Sequence, residues 1–243
     1  MTSLMNAEEP AATQSPPARR AGRPRRLTLD QILDAGLAIG LDNNLTMAAV
    51  AERLGVSATV LYGYVSGREE LIRFASARAA QDHGFPDDEG QFWAIYAAQH
   101  AVALFDLLTG PGGLLTQYLT GNMGPEGDLD RTETWLAAFD QRGFSPAEGL
   151  ALLDQVGIIV LGGAAMRLND AALRSAGASY QLVARRALES REEGEYPLTK
   201  SQAEAFVNRQ GVWRTTLLQF FEAMAANRGE AFPKAEVAAV LGA

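Results

Sequence analysis

Helix start and stop signals divide almost the whole chain, and they restrict its fold more than any other feature of the sequence. Capping boxes open helices at Thr28 to Gln31 and at Ser145 to Glu148. Gly55 follows the apolar residues of a short helix, as glycine does at many helix ends. Between these signals apolar residues recur every three or four positions, and no segment alternates as a half-buried strand does. We therefore predict an all-α fold.

The same signals give approximate boundaries for each helix. In the first 90 residues the pattern predicts helices at about 28–41, 46–54, 57–64 and 67–81, the last opened by a capping box at 66–69. In the remainder it predicts helices at about 91–108, a short one to 119, 128–142, 146–168, 170–189 and 202–227. Residues 1–22 lack periodicity and are predicted to be a disordered tail.

Composition excludes several kinds of site. The sequence has no cysteine, so thiolate zinc sites and disulfides are excluded, and its two histidines, His83 and His100, are too few for most imidazole-rich sites. No apolar run reaches 18 residues, the longest being 156–166. Residues 1–17 lack the basic start and apolar core of a secretion signal. We expect a cytoplasmic protein with no membrane segment, metal or cofactor.

Charge is distributed unevenly along the chain. The net charge is −8, yet residues 1–80 hold nine arginines against eight acidic residues, and five of those arginines lie in 19–26. Residues 81–243 hold 12 basic and 21 acidic residues. A basic arm joined to an acidic body suggests that one end meets an anion, although a basic tail that only aids solubility explains the charge equally well.

Residues 46–65 have the pattern of a helix-turn-helix. Ala51 is a small residue for the helix contact and Gly55 supplies the turn. The inner faces would be apolar, formed by Val50, Leu54, Val56, Leu61 and Val65. With Leu61 inward, the outward positions of the second helix are Ala58, Thr59, Tyr62 and Gly63. Such a helix can enter a major groove of DNA, but similar hairpins also occur in proteins that never bind DNA.

Four segments of residues 28–75 form one pattern: Ile-Leu-Asp-Ala-Gly-Leu at 32–37, Leu-Thr-Met-Ala-Ala-Val-Ala-Glu-Arg-Leu-Gly-Val-Ser at 45–57, Leu61-Tyr62 and Arg68-Glu-Glu-Leu71. This pattern resembles the DNA-binding domain of the tetracycline-repressor (TetR) family. The resemblance implies a DNA-binding domain at 23–82, with its helix-turn-helix at 46–65, and a helical ligand-binding and dimerisation domain at 91–241. It also implies a repressor that binds a pseudo-palindromic operator as a dimer and is released by a small amphipathic molecule.

The resemblance assigns roles to individual residues of this domain. Base-facing positions are occupied by Ala58, Thr59 and Gly63, all small, so direct readout of bases would be weak. Ala48 stands where some members have a base-reading arginine. Phosphate-contacting positions are occupied by Thr46, Tyr62, Tyr64 and Arg68. We therefore expect much of the sequence discrimination to come from DNA shape and from the preceding arm.

The arm contains Arg23, Arg25 and Arg26 around a proline. Arginines in this setting can enter a narrow, A·T-rich minor groove. Plain attraction to phosphate explains the same residues equally well, and either mode of binding weakens steeply with salt.

For the body, the sequence suggests a dimer interface and a ligand pocket. Two apolar helices, at 146–168 and 202–227, would pack with their mates into a four-helix bundle, unless their apolar faces only fill the core of one chain. The pocket residues would combine large apolar surfaces with a few polar tips: Trp93, Tyr96, His100, Tyr118, Trp135, Phe139 and Met166. For each of them core packing is at least as good an explanation.

Two other classes of function stay open. An enzyme is disfavoured because no carboxylate pair has a histidine, lysine or metal partner at a usable spacing. A helical protein that sequesters a ligand or binds another protein, without binding an operator, is the main alternative. The sequence does not identify the effector, the operator or the regulated gene, and repression is preferred over activation only because the resemblance implies it.

Overall fold

The computed structural model describes residues 27–41, 44–110, 114–123, 125–209 and 211–243. The tail at 1–22 and the arginines Arg23, Arg25 and Arg26 lie outside the described residues. Those described form α-helices and no strand, which confirms the all-α prediction. The helices are α1 Leu29–Ile39, α2 Met47–Leu54, α3 Ala58–Leu61, α4 Arg68–His83, α5 Trp93–Thr109, α6 Leu114–Leu119, α7 Pro125–Asp140, α8 Pro146–Ser175, α9 Tyr180–Glu189, α10 Pro197–Ser201, α11 Ala203–Val207, α12 Val212–Asn227 and α13 Lys234–Leu241.

Helices α1 to α4 form a head around one apolar core. Thr28 and Gln31 exchange the two bonds of a capping box at the start of α1. Gly55 has φ 67°, the left-handed conformation that lets the chain turn sharply out of α2. Leu61 of α3 is completely buried and packs in a cluster with buried residues of α1, α2 and α4. The helix-turn-helix is thus held by the inward residues that its sequence pattern predicts.

The head differs from the sequence prediction in two places. Helix α3 ends at Leu61 rather than near residue 64, because the next amides bond three residues back: Gly63 N donates to Val60 O and Tyr64 N to Leu61 O. The capping box expected at 66–69 is also wrong. Gly67 is the N-cap residue and has no side chain to accept a bond, so Glu70, at the third helical position, accepts from the amide of Ser66 at 2.5 Å.

Helices α5 to α13 form a larger body, in which α5 and α8 are packed against each other at the centre. Helix α8 starts at the predicted capping box of Ser145 and Glu148 but continues to Ser175, past the predicted end at 168. The residues that it adds, 169–175, are mostly exposed, and Arg174 Nε donates to Asp170 Oδ2 at 2.5 Å within this last part of the helix. The chain turns only at Gly177, which has φ 75°, before α9 begins.

The helix predicted at 202–227 is two helices. α11 ends at Val207 and α12 begins at Val212, with Gly211 as its N-cap residue. Asn208 and Gly211 have low helix propensity, and the exposed Asn208 side chain accepts a bond from Gln181 and donates one to Glu204. The short α10 and the C-terminal α13, which begin next to Pro197 and Pro233, were not predicted.

Helix α8 is the one described helix that is long and apolar enough to span a bilayer by length and composition. Only a third of its most apolar 18-residue stretch is buried within the chain. One face lies in the body core and the other is open to solvent.

Candidate DNA-binding surface and ligand cavities

Helix α2 exposes Glu52 and Arg53, whereas the predicted base-facing surface of α3 and the turn after it is formed by small residues and one tyrosine. Thr59 and Gly63 are exposed, and Tyr62 is 56% exposed. Ala58 is half-buried and packs against the head core, so it presents less surface than helical spacing alone suggests. The surface offers hydroxyl groups and little else for hydrogen bonding, as the sequence indicated.

Thr46 is exposed at the N-terminus of α2, where its hydroxyl oxygen accepts a bond from the amide of Ala49 at 3.0 Å. This bond caps the helix and leaves the hydroxyl proton free to be donated outward. A threonine in this position can therefore cap its own helix and contact an anion at the same time.

Tyr64 and Arg68 are half-buried and bonded to backbone carbonyls. The Tyr64 hydroxyl donates to Leu27 O at 2.6 Å, which ties the end of the α3 turn to the residue that precedes α1. Arg68 Nε donates to Leu45 O at 2.8 Å and so holds the loop in front of α2. Their expected phosphate contacts remain predictions. The structure adds a positioning role, which no local sequence signal shows because the partners are 37 and 23 residues away.

Helix α6 joins the head to the body. Gln117 is buried, and its Nε2 donates to Leu41 O at 2.7 Å, while Asn122 Nδ2 donates to Gln117 Oε1 at 3.0 Å. Leu114 and Met123, at the two ends of this segment, pack in the head core. The sequence did not predict this contact between α6 and the head, because a glutamine in a short helix gives no signal for a partner 76 residues away.

Two cavities lie next to each other in the body and share two lining residues, His100 and Arg131. The first, of about 250 Å³, lies between α4, the start of α5 and α7, and its lining includes Phe85, Tyr96 and Met123. The second, of about 350 Å³, lies between α5, α6, α7 and α8, and its lining includes Tyr118, Leu153 and Ile158. Together they reach from the end of α4 to the open face of α8.

His100 stands between the two cavities within a group of aromatic rings. The ring centroids of Phe85 and Trp135 lie 4.6 and 4.8 Å from that of His100, and that of Tyr96 lies at 6.4 Å. His100 Nδ1 is buried and has no hydrogen-bond partner among the described residues. Burial, with a smaller contribution from the charge of Arg131, lowers the pKa of His100 to about 3, so the imidazole is neutral at physiological pH.

Arg131 is the one basic residue among those that line the two cavities. Its side chain is 18% exposed, forms an ion pair with Asp128 and lies over the ring of Phe85, 5.3 Å from the centroid. The Arg131 charge is therefore already matched by a carboxylate of its own helix.

The predicted pocket residues fall into three groups. Tyr96, His100 and Tyr118 line the cavities. Trp135 and Phe139 are completely buried and stacked at 4.3 Å, behind His100, and the Trp135 indole donates to Gly149 O at 2.8 Å.

Trp93 and Met166 lie elsewhere. Trp93 packs near the end of α12, where its indole donates to Glu230 Oε2 at 2.5 Å. Met166 lines a separate space of about 200 Å³ near α9. A role in ligand binding stays a prediction for all seven, and the sequence pattern could not tell a lining residue from one that packs a layer further in.

Helices α8 and α12 pack against each other, and each also has an open face. On α8 this face includes Ile158, which is 69% exposed, and Gly162; on α12 it includes Val212, 47% exposed. Gly163 is on the other side of α8, where an added Cβ would lie 2.5 Å from Trp213. Gly163 thus permits close packing within the chain, and an added Cβ at Gly162 would meet open space.

Comparison with known proteins gives matches in structure alone. No protein-family model matches the chain, and no curated protein matches it significantly. The TetR-family protein ActR of Streptomyces coelicolor, in complex with actinorhodin, is 19% identical, with TM-score 0.69 over 84% of this chain and 97% of that one. Apo ActR is 18% identical, with TM-score 0.63 over 91% and 97%. SCO7222, a TetR from the same organism, is 20% identical, with TM-score 0.66 over 83% and 99%.

These matches cover the body as well as the head, so they extend beyond residues 28–75, which carry the sequence resemblance. Each covers nearly the whole of the other chain. The head with its helix-turn-helix, the central α5 and α8, and the open pair α8 and α12 are parts of one architecture. The protein has the fold of the TetR-family transcriptional regulators.

Proposed function

We propose that this protein is a ligand-responsive transcriptional regulator rather than an enzyme. The observation that carries the proposal is a helix-turn-helix with an exposed outer face, joined through a buried hydrogen bond of α6 to a body that contains two cavities. The similar fold of ActR, solved both as the apo protein and with actinorhodin, supports a body that binds small molecules. DNA and a small-molecule effector are the proposed partners, and the cytoplasm is the proposed location.

On DNA, α3 would enter the major groove, with Thr59 and Gly63 next to base edges and Thr46 and Tyr62 next to phosphates. Tyr64 and Arg68 hold the segments on either side of this surface. With so few polar groups on the surface, direct readout is limited to about one hydroxyl. Arg23, Arg25 and Arg26 would add affinity and, in a minor groove, sensitivity to DNA shape.

Two copies would pair through α8 and α12, whose open faces carry small and apolar residues. The α8 face also includes Gln155 and Asn169, both exposed, which suit a protein interface better than lipid. A four-helix bundle would cover Ile158 and bring two heads to one operator. The heads would then lie about one DNA turn apart, roughly 34–36 Å, as a pseudo-palindromic site requires.

The effector would act through α6. Tyr118 lines the second cavity, and the preceding residue, Gln117, holds Leu41 of the head. A ligand that shifts Tyr118 would disturb this bond and change the spacing of the two heads. To move the population from 1:99 to 99:1 a ligand must prefer one state by about 10⁴-fold, which burial of a hydrophobic molecule can supply. Repression relieved by the ligand is the proposed output.

The decisive test is fluorescence anisotropy of the purified protein on the DNA just upstream of its own gene, with unrelated DNA as the reference, at two salt concentrations. We expect selective binding that saturates at two or four chains per site. Equal, salt-sensitive binding to both DNAs would count against operator recognition and for a helical protein that merely carries a basic arm.

Two tyrosine variants make the test specific to the proposed surface. Tyr62 and Tyr196 are 56% and 55% exposed, the first on the head and the second in front of α10. We expect Tyr62→Phe to weaken operator binding by about 2- to 10-fold, the effect of one lost phosphate hydrogen bond. Tyr196→Phe should leave it unchanged. If the two variants bind the operator equally well, α3 is not part of the interface with DNA.

A further inference from the structure

The lining of the two cavities carries more negative than positive charge. The first includes Asp87 and Asp130, and the second includes Asp128 and Asp154. Arg131 lies between them and is paired with Asp128. Asp87, Asp130 and Asp154 form no ion pair with any described residue. Each cavity therefore offers an unmatched carboxylate to whatever enters it.

The wall between the cavities consists of aromatic and polar surface. His100 is packed among Phe85, Tyr96 and Trp135, and its buried Nδ1 has no partner among the described residues. A buried polar atom without a hydrogen bond is costly, so a ligand group that met this nitrogen after a small rotation of the ring would be bound specifically. Phe85 and Tyr96 line the first cavity and Tyr118 lines the second, and these flat rings favour stacking with a planar molecule.

The size of the cavities fits a ligand of several fused rings. At about 250 and 350 Å³ they lie just below and just above the lower limit of the range for small-molecule sites, about 300 to 1,000 Å³. A molecule that occupied one of them would have its rings near His100 and its ends within reach of the aspartates at the mouth. An acid in the same place would face those carboxylates without a free cation to receive it.

We infer that the effector is a planar aromatic molecule carrying a positive charge, with its ring system against the His100 wall and its cationic group next to Asp130 or Asp154. The inference rests on the proposed ligand-responsive function and specifies which chemistry the same cavities select. Neutral His100 can pair with a hydroxyl or amino group on the ring without repelling the cation.

Three acridines with one ring system test this selection directly. 9-Aminoacridine is a cation at neutral pH, acridine is essentially uncharged, and acridine-9-carboxylate is an anion. Binding of each to the full-length protein is measured by fluorescence polarisation at low salt. We expect the cation to bind at least tenfold more tightly than the carboxylate, with the uncharged ring between them. Raising the salt should narrow the difference, because these carboxylates are exposed to solvent.

Aspartate variants identify the charges responsible. Asp130→Asn and Asp154→Asn remove the cavity carboxylates. Asp140→Asn is the matched control, an exposed aspartate on α7 that lines neither cavity. We expect at least one cavity variant to weaken binding of the cation about threefold or more without changing binding of uncharged acridine, and the control to change neither. If Asp140→Asn has the same effect, the attraction is a property of the acidic body as a whole and the inference is overturned.

Operator binding measured in parallel separates this inference from the proposed function. Tighter binding of the carboxylate, or no binding of any of the three, in a protein that still recognises its operator would overturn the ligand class and leave the regulator intact. Failure to bind an operator would contradict the proposed function whatever the acridines show. Release of the operator by 9-aminoacridine, but not by the carboxylate, would support both.

Discussion

Among single residues, His100 links the stability of the body to pH. Its pKa falls to about 3 in the folded chain because burial penalises the imidazolium, whereas an exposed histidine titrates near 6.5. Below pH 6.5 the unfolded state therefore binds a proton that the folded state does not. We expect the free energy of unfolding to fall by up to about 1.4 kcal/mol per pH unit between pH 6 and pH 5, measured by urea denaturation.

His100→Gln is the control for this dependence, because it keeps a polar side chain and removes the titration. The slope between pH 6 and pH 5 should become much shallower in that variant. A slope that stays the same would mean that His100 is protonated in the folded state. The variant should still lose stability below pH 4. The Arg142 guanidinium lowers the pKa of Asp88 to about 2, so Asp88 is protonated and loses its ion pair only in that range.

Gly162 and Gly163 are adjacent glycines with opposite expected behaviour. A Cβ on Gly163 would lie 2.5 Å from Trp213, so Gly163→Ala should destabilise the chain by about 1–3 kcal/mol through overpacking. Gly162→Ala meets open space and should stabilise α8 by up to about 1 kcal/mol, the difference in helix propensity. Urea denaturation of the two variants gives the comparison, and equal shifts would contradict the packing of α8 on α12.

The residue scale also shows where sequence reasoning stops. Helical spacing put Trp93, Tyr96 and His100 on one face, and of these Tyr96 and His100 line the cavities. It could not show that Trp93 bonds Glu230, because that contact joins residues 137 positions apart. The local sequence shows which side of a helix a residue lies on. It does not show the hydrogen-bond partner of a polar atom, because that partner depends on the whole fold.

At the scale of elements, α6 is the part whose role is most open to experiment. Gln117→Ala would leave the buried Leu41 carbonyl without its partner, and we expect a loss of about 1–3 kcal/mol in unfolding free energy. Gln141→Ala, at an exposed position after α7, should have little effect. Both are measured by urea denaturation. If Gln117→Ala has no effect on stability, a water or a neighbour satisfies Leu41 and the proposed link through α6 is weak.

Ile158→Glu tests whether α8 forms the proposed interface. A charge in the middle of an apolar bundle should shift the protein to monomers at micromolar concentration, seen by sedimentation velocity. Operator affinity should fall at least tenfold, since a single head reads only a half-site. Leu198→Glu is the matched control, an 83% exposed leucine on α10. Should Ile158→Glu stay dimeric, another surface holds the copies together.

Long helices with clear caps were predicted well, and short ones poorly. The box of Ser145 and Glu148 fixed the start of α8, but nothing local predicted its extension past residue 168. The break between α11 and α12 depends on the bonds of the Asn208 side chain to two different helices. Helices of four or five residues, such as α3 and α10, span little more than one turn, so a repeat of 3.6 residues cannot show in their sequence.

For the whole molecule, the separation of charge predicts a distinctive salt response. The arginines Arg23, Arg25 and Arg26 precede an acidic body. If each contacts one phosphate, replacing all three by alanine should reduce the slope of log K against log salt by about 2 to 3, at about 0.9 per phosphate. Anisotropy titrations at four or more salt concentrations measure the slope. An unchanged slope would exclude the arm from DNA.

The same variant decides between the two ways in which the arm could bind. If the arginines lie in a narrow minor groove, replacing the A·T pairs that flank the half-sites by G·C pairs should weaken DNA binding by the unaltered protein. DNA binding by the triple variant should not change. If the arginines only meet phosphates, the flanking sequence should not matter to either protein.

The head resembles known regulators in sequence, whereas the body resembles them in fold alone. The segments that resemble the TetR family cover about a fifth of the chain, and all of them lie in the head. The body carries no such pattern, since an apolar core and an open face can be built from many side chains. Its relation to known regulators could be found only by comparing folds.

Helix α8 has a further consequence for how such a protein would be used in a cell. Leu150 and Ile158 line the second cavity and also belong to the open face of the helix. If two copies close over that face, assembly and effector binding share the same side chains, and each must alter the equilibrium of the other. The effector dose at which a gene is switched on would then depend on how many copies of the regulator the cell makes.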